Sequence, residues 1–172
     1  MNNRELFSLI KKDAEYFSIE DILHKNASSE EEQQSFNRLK YTSRLVAAYN
    51  KKTFFEIKSR DCIDVIESID VDIFKEFTFR IGKYMDKHAP DQNDLKRHVQ
   101  IVSTYLTFIV KKPLHPPGMI FEGGHPIVCI DKRFYCPVKN KQLNVVWSLC
   151  KYCVSRDLNE INEAKPFFNR EV

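Results

Sequence analysis

Residues 114–156 differ in kind from everything before them. This stretch, LHPPGMIFEGGHPIVCIDKRFYCPVKNKQLNVVWSLCKYCVSR, holds four of the five cysteines, three of the four glycines and four of the seven prolines. Proline fixes φ and lacks an N–H, and glycine opens positive φ, so His115-Pro116-Pro117-Gly118 must extend and then turn. Gly123-Gly124 marks a second turn. Upstream, apolar residues recur at helical spacing. The expected fold is therefore mainly α: a compact bundle of five or six helices with a small C-terminal cysteine-rich loop and β-hairpin module. At 172 residues this is one domain. Its parts would be a helical body (1–112), the module (113–156) and a C-terminal tail (157–172).

Along the body, Leu6, Leu9, Ile10, Ala14 and Phe17 define a first helix. Ser18 with Asp21 forms a capping-box pattern for a short second one. After the turn at Asn26, Ser28 or Ser29 would cap a helix whose stripe is Phe36, Leu39, Ser43, Val46 and Tyr49. Lys51–Arg60 fits strand or helix. Cys62, Val65, Ile66 and Ile69 suggest a further helix over 61–69, with Cys62 as a core residue. Asp70 or Asp72 opens a stronger helix with Phe74, Phe77, Ile81, Tyr84, Met85 and His88 on one face, ending before Pro90. Asp91 would cap the last long helix, with Leu95, Val99, Val102, Leu106 and Ile109 inward, and Pro113 ends it. His24, His88 and His98 lack an i, i+4 partner and read as surface or capping residues.

The net charge is only +3, but it is unevenly placed. Residues 111–156 carry eight Lys/Arg against Glu122 and Asp131, a net +6, leaving −3 elsewhere (19 basic against 22 acidic). Such a module suits an anionic partner. Lys132, Arg133, Lys139 and Lys141 are the partner-binding candidates. A protein partner is favoured over nucleic acid, because the overall charge is low and only Phe134 and Tyr135 interleave with the basic residues. The N-terminus has no apolar run fit for a signal peptide, and the most apolar stretch, IVSTYLTFIV, is too short to span a membrane. A cytoplasmic protein with reduced thiols is expected.

In that setting clustered cysteines indicate metal more than disulfides. Ile127–Ile130 and Phe134–Val138 predict a hairpin around Asp131-Lys132-Arg133. With Lys132 and Arg133 as loop residues, Cys129 faces Cys136; a three-residue loop turns Cys129 away. Val145–Ser155 reads as a helix anchored by Trp147, with Cys150 and Cys153 at i, i+3 on one face. Cys136, Cys150 and Cys153 are the expected ligands, and Cys129, His115, His125 or Cys62 would supply the fourth. Zinc is favoured over an iron–sulfur cluster, and reduced core thiols without metal are the remaining reading. A thioredoxin-like role lacks its βαβ context.

Several segments resemble an archaeal family found largely in methanogens, domain of unknown function 2115 (DUF2115, UPF0305). They are Leu114-His115-Pro116-Pro117-Gly118, Gly123-Gly124, Tyr135-Cys136-Pro137-Val138-Lys139, Gln142, Cys150 and Cys153. Glu122 stands where that pattern has proline, and Cys129 lies outside it, which moves weight to His115 as fourth ligand. The resemblance implies an anaerobic archaeal cytoplasm and raises the iron–sulfur option. It brings no activity with it.

Two functions follow from these residues. One is a binding or assembly module with a structural metal and a basic contact surface. The other is a metal- or cluster-dependent enzyme using His115 or Lys139 as an acid/base or anion-binding group. No P-loop, Rossmann glycines, HExxH or nucleophile elbow supports the enzyme.

Overall fold

The computed structural model describes residues 1–17, 38–121 and 123–164. The capping pattern at Ser18, the Asn26 turn, the Ser28/Ser29 cap, His24, Phe36 and Glu122 lie outside the described residues. The elements are α1 (Asn3–Glu15), α2 (Arg38–Ser59), α3 (Val71–His88) and α4 (Asn93–Thr104), which passes into a π-helical turn (Tyr105–Ile109). After these come β1 (Val128–Ile130), β2 (Arg133–Cys136), α5 (Lys139–Gln142), β3 (Arg156–Asp157) and α6 (Asn159–Ala164). The fold is mainly α with one small sheet, and no helix among the described residues is long and apolar enough to cross a membrane.

The helices follow their sequence signals closely. Asn2 and Glu5 form a capping box at α1, closed by Glu5 N–H to Asn2 Oδ1 (2.8 Å) and Asn2 N–H to Glu5 Oε2 (2.9 Å). Asp70 caps α3 through the amides of Asp72 (2.9 Å) and Ile73 (3.1 Å). The ambiguous Lys51–Arg60 stretch continues α2 to Ser59. At α4 the expected Asp91 cap is absent: Gln92 holds the N-cap position and makes no side-chain bond.

Four helices and the π-turn build most of one core. α1 contributes Leu6, Phe7, Ile10 and Ala14, and α2 contributes Phe54 and Ile57. α3 adds Phe77, Ile81 and Met85, while α4 and the π-turn add Ile101, Val102, Tyr105, Leu106, Phe108 and Ile109. α1 packs on α2, α4 and the π-turn, and α3 packs on α4. Phe108 lies edge-on to both Phe74 (5.6 Å) and Phe77 (5.1 Å), geometry that suits aromatic quadrupoles. His98, expected at the surface, is instead 7% exposed and packs 5.1 Å from the Phe54 ring. Burial holds its imidazole below the ordinary range.

Residues 61–69 are not helical. Ile63 and Ile69 are buried, but Cys62, Val65 and Ile66 are exposed, so Cys62 is not a core residue. The N-terminus captures this backbone. Asn3, 2% exposed, donates its amide to Val65 O (2.9 Å) and accepts from Glu67 N–H (3.0 Å). Arg4 donates to Ile63 O (3.1 Å), and Ile69 N–H donates to Met1 O (2.9 Å). Carbonyls and amides held this way are withdrawn from a helical ladder.

The π-turn opens the helix beside a charged network. Val110 N–H reaches Tyr105 O (3.0 Å), Lys112 N–H reaches Leu106 O (2.9 Å), and Lys111 takes φ +51°, so the chain leaves the bundle there. Tyr105, fully buried, donates its hydroxyl to Glu56 Oε1 (2.8 Å) and accepts from Arg60 (3.2 Å). Lys112 also donates to Glu56 Oε2 (3.0 Å). Burial opposes the Glu56 charge, but the Lys112 and Tyr105 hydrogen bonds outweigh it and hold its pKa below the usual range. A cleft of about 330 Å³ opens alongside, lined by Asn3, Glu56, Arg60, Asp64 and Lys112 among others. Tyr49 on α2 donates to Pro113 O (2.9 Å) and ties the exit to the bundle.

Burial, chiefly, pushes the Tyr105 and Tyr49 phenols up to about 12. Both phenols release their protons more readily in the unfolded chain, whose reference value is 10.0. The stabilisation is complete below that value and is lost as pH rises from about 10 through about 12. Urea unfolding followed across this window should show falling stability, lessened in Tyr105→Phe; a flat profile would contradict the assignment.

Candidate metal centre

The C-terminal third is held together by side chains more than by secondary structure. β1 and β2 form the expected hairpin, but its loop is Asp131-Lys132, with Ile130 opposite Arg133 and Cys129 opposite Phe134. Asp131 (φ +49°) and Lys132 (φ +63°) are both left-handed, as a type I′ hairpin turn requires. Cys129 therefore does not face Cys136. The two are diagonal neighbours, about 7–8 Å apart at Cα by ordinary sheet spacing, with Cys129 exposed and Cys136 buried.

β3 then pairs parallel to β2, Tyr135 beside Arg156 and Cys136 beside Asp157, and Leu158 N–H donates to Cys136 O (3.2 Å). Asp157, 4% exposed, organises this junction. Its carboxylate accepts from Asn140 N–H (3.1 Å) in α5 and Asn159 N–H (2.9 Å) in α6, while Glu160 accepts from Asp157 N–H (3.0 Å). Arg156, at the end of the expected module, and residues 157–164 of the expected tail thus belong to the sheet and its flank. The pattern D-L-N-E was a legible capping signal.

Val145–Ser155 forms no helix; it is a run of turns. Arg80 of α3 donates to Val146 O (2.7 Å) and Ser148 O (3.2 Å), and Ser148 Oγ accepts from Cys150 N–H (3.1 Å). Glu76 accepts from Lys151 (2.6 Å) and from Arg80 (2.9 Å), which fixes the far side. Lys151 first, with Tyr152 and Arg80, brings the Glu76 carboxyl down to about 2. Tyr152 packs edge-on to Phe77 at 5.3 Å. Trp147 is only half-buried, 6.5 Å from the exposed Phe79 ring, and is not a core anchor.

Cys150 and Cys153 stay paired through a turn closed by Cys153 N–H to Cys150 O (3.2 Å). Lys139, at the start of α5, points inward and donates to Cys150 O and to Cys153 O (2.8 Å for the latter). Cys153 Sγ lies 3.6 Å from Ser155 Oγ. Across the junction, burial raises the Cys136 pKa; Cys150 and Cys153 raise it further, while Val138 N–H and the Lys139 charge pull it down. The three expected thiols therefore share one electrostatic neighbourhood around Lys139. Among the described residues, however, no three His, Cys, Asp or Glu side chains are gathered closely enough to hold a metal ion.

The remaining ligand candidates lie differently. His115 is half-buried and edge-on to Phe121 at 5.5 Å, and burial lowers its pKa. His125 is exposed, and Cys62 is exposed with its thiol 3.9 Å from Asp64 Oδ1. Lys132, Arg133 and Lys141 are exposed, whereas Lys139 is spent on the cysteine turn.

A family model described as an uncharacterized protein conserved in archaea (DUF2115) matches residues 2–158. The chain belongs to this family. Relatives include a UPF0305 protein of Methanocaldococcus jannaschii, 36% identical over 165 residues, covering 94% of this chain and 99% of the relative. A UPF0305 protein of Methanococcus maripaludis strain C7 is 31% identical, over 94% of this chain and all of its own length. One from Methanothermobacter thermautotrophicus is 28% identical with the same coverage. No solved structure matches. The match takes in the Cys136–Asp157 junction and the cysteine turn, so both lie within the DUF2115 unit.

Thiol access in this DUF2115 chain should be graded. Alkylation of reduced, metal-free protein followed by mass spectrometry should label exposed Cys62 and Cys129 first, half-buried Cys150 and Cys153 next, and buried Cys136 last. Early labelling of Cys136 would contradict the junction.

Proposed function

We propose that this protein is a binding and assembly module of the archaeal cytoplasm whose C-terminal third is ordered by a soft metal ion, zinc before an iron–sulfur cluster. The observation that carries the reading is the Lys139 ammonium, three residues after Cys136, bonded to both end carbonyls of the Cys150–Cys153 turn, which ties the strand that carries one thiol to the loop that carries the other two. Cys136 is set by the sheet, while the other two sit on a loop without a helical ladder that can adjust around an ion. Zinc binding in small metallo-domains is worth on the order of 10 kcal/mol, far more than a local loop adjustment costs. Three thiolates at about 2.3 Å leave one position for His115 or an outside donor.

Protein purified without oxygen should contain about one zinc per chain, as a single tetrahedral site requires. Cys136→Ala and Cys153→Ala should lose it, and Cys129→Ala should keep it. Iron with sulfide and an intense visible band would select the cluster instead, and absence of both metals would end the proposal.

The contact surface of this module is the hairpin tip with α5, where Lys132, Arg133 and Lys141 are exposed and, among the described residues, unpaired. An acidic protein surface is the matching partner. Reversing these three residues to Glu should abolish capture of native partners at low salt while circular dichroism stays unchanged; undiminished capture would count against this surface.

A further inference from the structure

We propose that Lys139 is the positioning residue of the thiol centre: it holds the Cys150–Cys153 turn by both end carbonyls and sets that turn against Cys136. The inference deepens the metal reading above and rests on it.

The argument begins with the backbone. Residues 143–155 have neither helix nor sheet, so the cysteine turn is closed only by local backbone bonds, Tyr152 N–H to Leu149 O at 3.0 Å and Cys153 N–H to Cys150 O at 3.2 Å. Both carbonyls at its ends accept from the same ammonium, at 2.8 Å for Cys153. An ammonium has three donors on a flexible stem and can satisfy two carbonyls at once. The stem starts three residues after Cys136, on a helix anchored through Asn140 N–H to buried Asp157 (3.1 Å). One side chain therefore joins the sheet that carries Cys136 to the loop that carries the other two thiols.

Charge supports the same assignment. Three thiolates around a divalent ion leave one net negative charge in a half-buried place, and an ammonium beside them cancels it. Lys139 is not itself a ligand, because both of its carbonyl contacts require N–H donors. It acts as metal-site outer partners do, by orienting the groups that bind. Lys132, Arg133 and Lys141 have no such contacts, which separates Lys139 from the partner-facing cations.

The test uses the full chain with Lys139→Met, which keeps the stem and removes charge and donors, and Lys139→Arg, which restores both. Zinc affinity is measured by competition with a chromophoric chelator without oxygen, and amide exchange over 149–155 is measured on metal-free protein. The expected result for Lys139→Met is 10- to 100-fold weaker zinc binding, as for loss of an outer partner, and faster exchange over 149–155 with α1–α4 unchanged. Lys139→Arg should recover most of both. Wild-type zinc affinity in Lys139→Met, or unaltered exchange over 149–155, overturns the proposal. If wild-type protein takes no zinc, the metal reading falls by itself, and exchange alone then decides whether Lys139 orders the turn.

Discussion

The backbone of residues 143–155 has no ladder of its own, and the arrangement of the C-terminal third depends on how its carbonyls are satisfied. Its carbonyls require donors, and besides local turn bonds from Ser148, Tyr152 and Cys153 N–H, two cations from outside the segment provide them. Arg80 takes Val146 and Ser148 from the α3 side, and Lys139 takes Cys150 and Cys153 from the sheet side. Such charge-assisted bonds contribute more than neutral ones. They also explain why a stretch with helix-compatible spacing stays irregular: its acceptors are already engaged, and Ser148 competes for the Cys150 amide.

The helical body supplies the frame that makes those bonds possible. Glu76 and Arg80 occupy one face of α3 a turn apart, so Lys151 and the 146–148 carbonyls meet a ready pair of opposite charges. The π-turn redirects the chain after Ile109, and Tyr105 fills the space with a hydroxyl shared between Glu56 and Arg60. Tyr49 then fastens Pro113 to α2. The chain enters the irregular region from a fixed point, with Leu114, Leu149 and Tyr152 packed on the core.

Asp157 has a similar organising role at the opposite boundary. One buried carboxylate accepts from α5 and α6 at once and lies next to Cys136 in the parallel pair β2–β3. Cys136, Lys139 and Asp157 thus form a continuous chain of contacts from sheet to cysteine turn. The exposed cations of the hairpin tip, Lys132 and Arg133, lie on the outside of the same unit.

By itself the sequence determined the helices and the character of the C-terminal third. Apolar spacing located most of the buried faces of α1, α3 and α4, although Leu9 and Tyr84 of the expected stripes are exposed; Asp70 marked an N-cap, Pro90 a stop, and the prolines and glycines of 113–126 excluded helix there. It also marked Cys136, Cys150 and Cys153 as the candidate metal-binding thiols. Only the tertiary structure decided that 61–69 and 145–155 are irregular, because Asn3, Arg80 and Lys139 bind backbone groups distant in sequence, and such bonds leave no periodic trace. The hairpin register turned on two left-handed residues, Asp131 and Lys132, of which Lys carries no turn signal, and this separated Cys129 from Cys136. Lys139 read as one more surface cation until its contacts placed it inside, since charge in a sequence specifies how many cations there are but not which carbonyls they find.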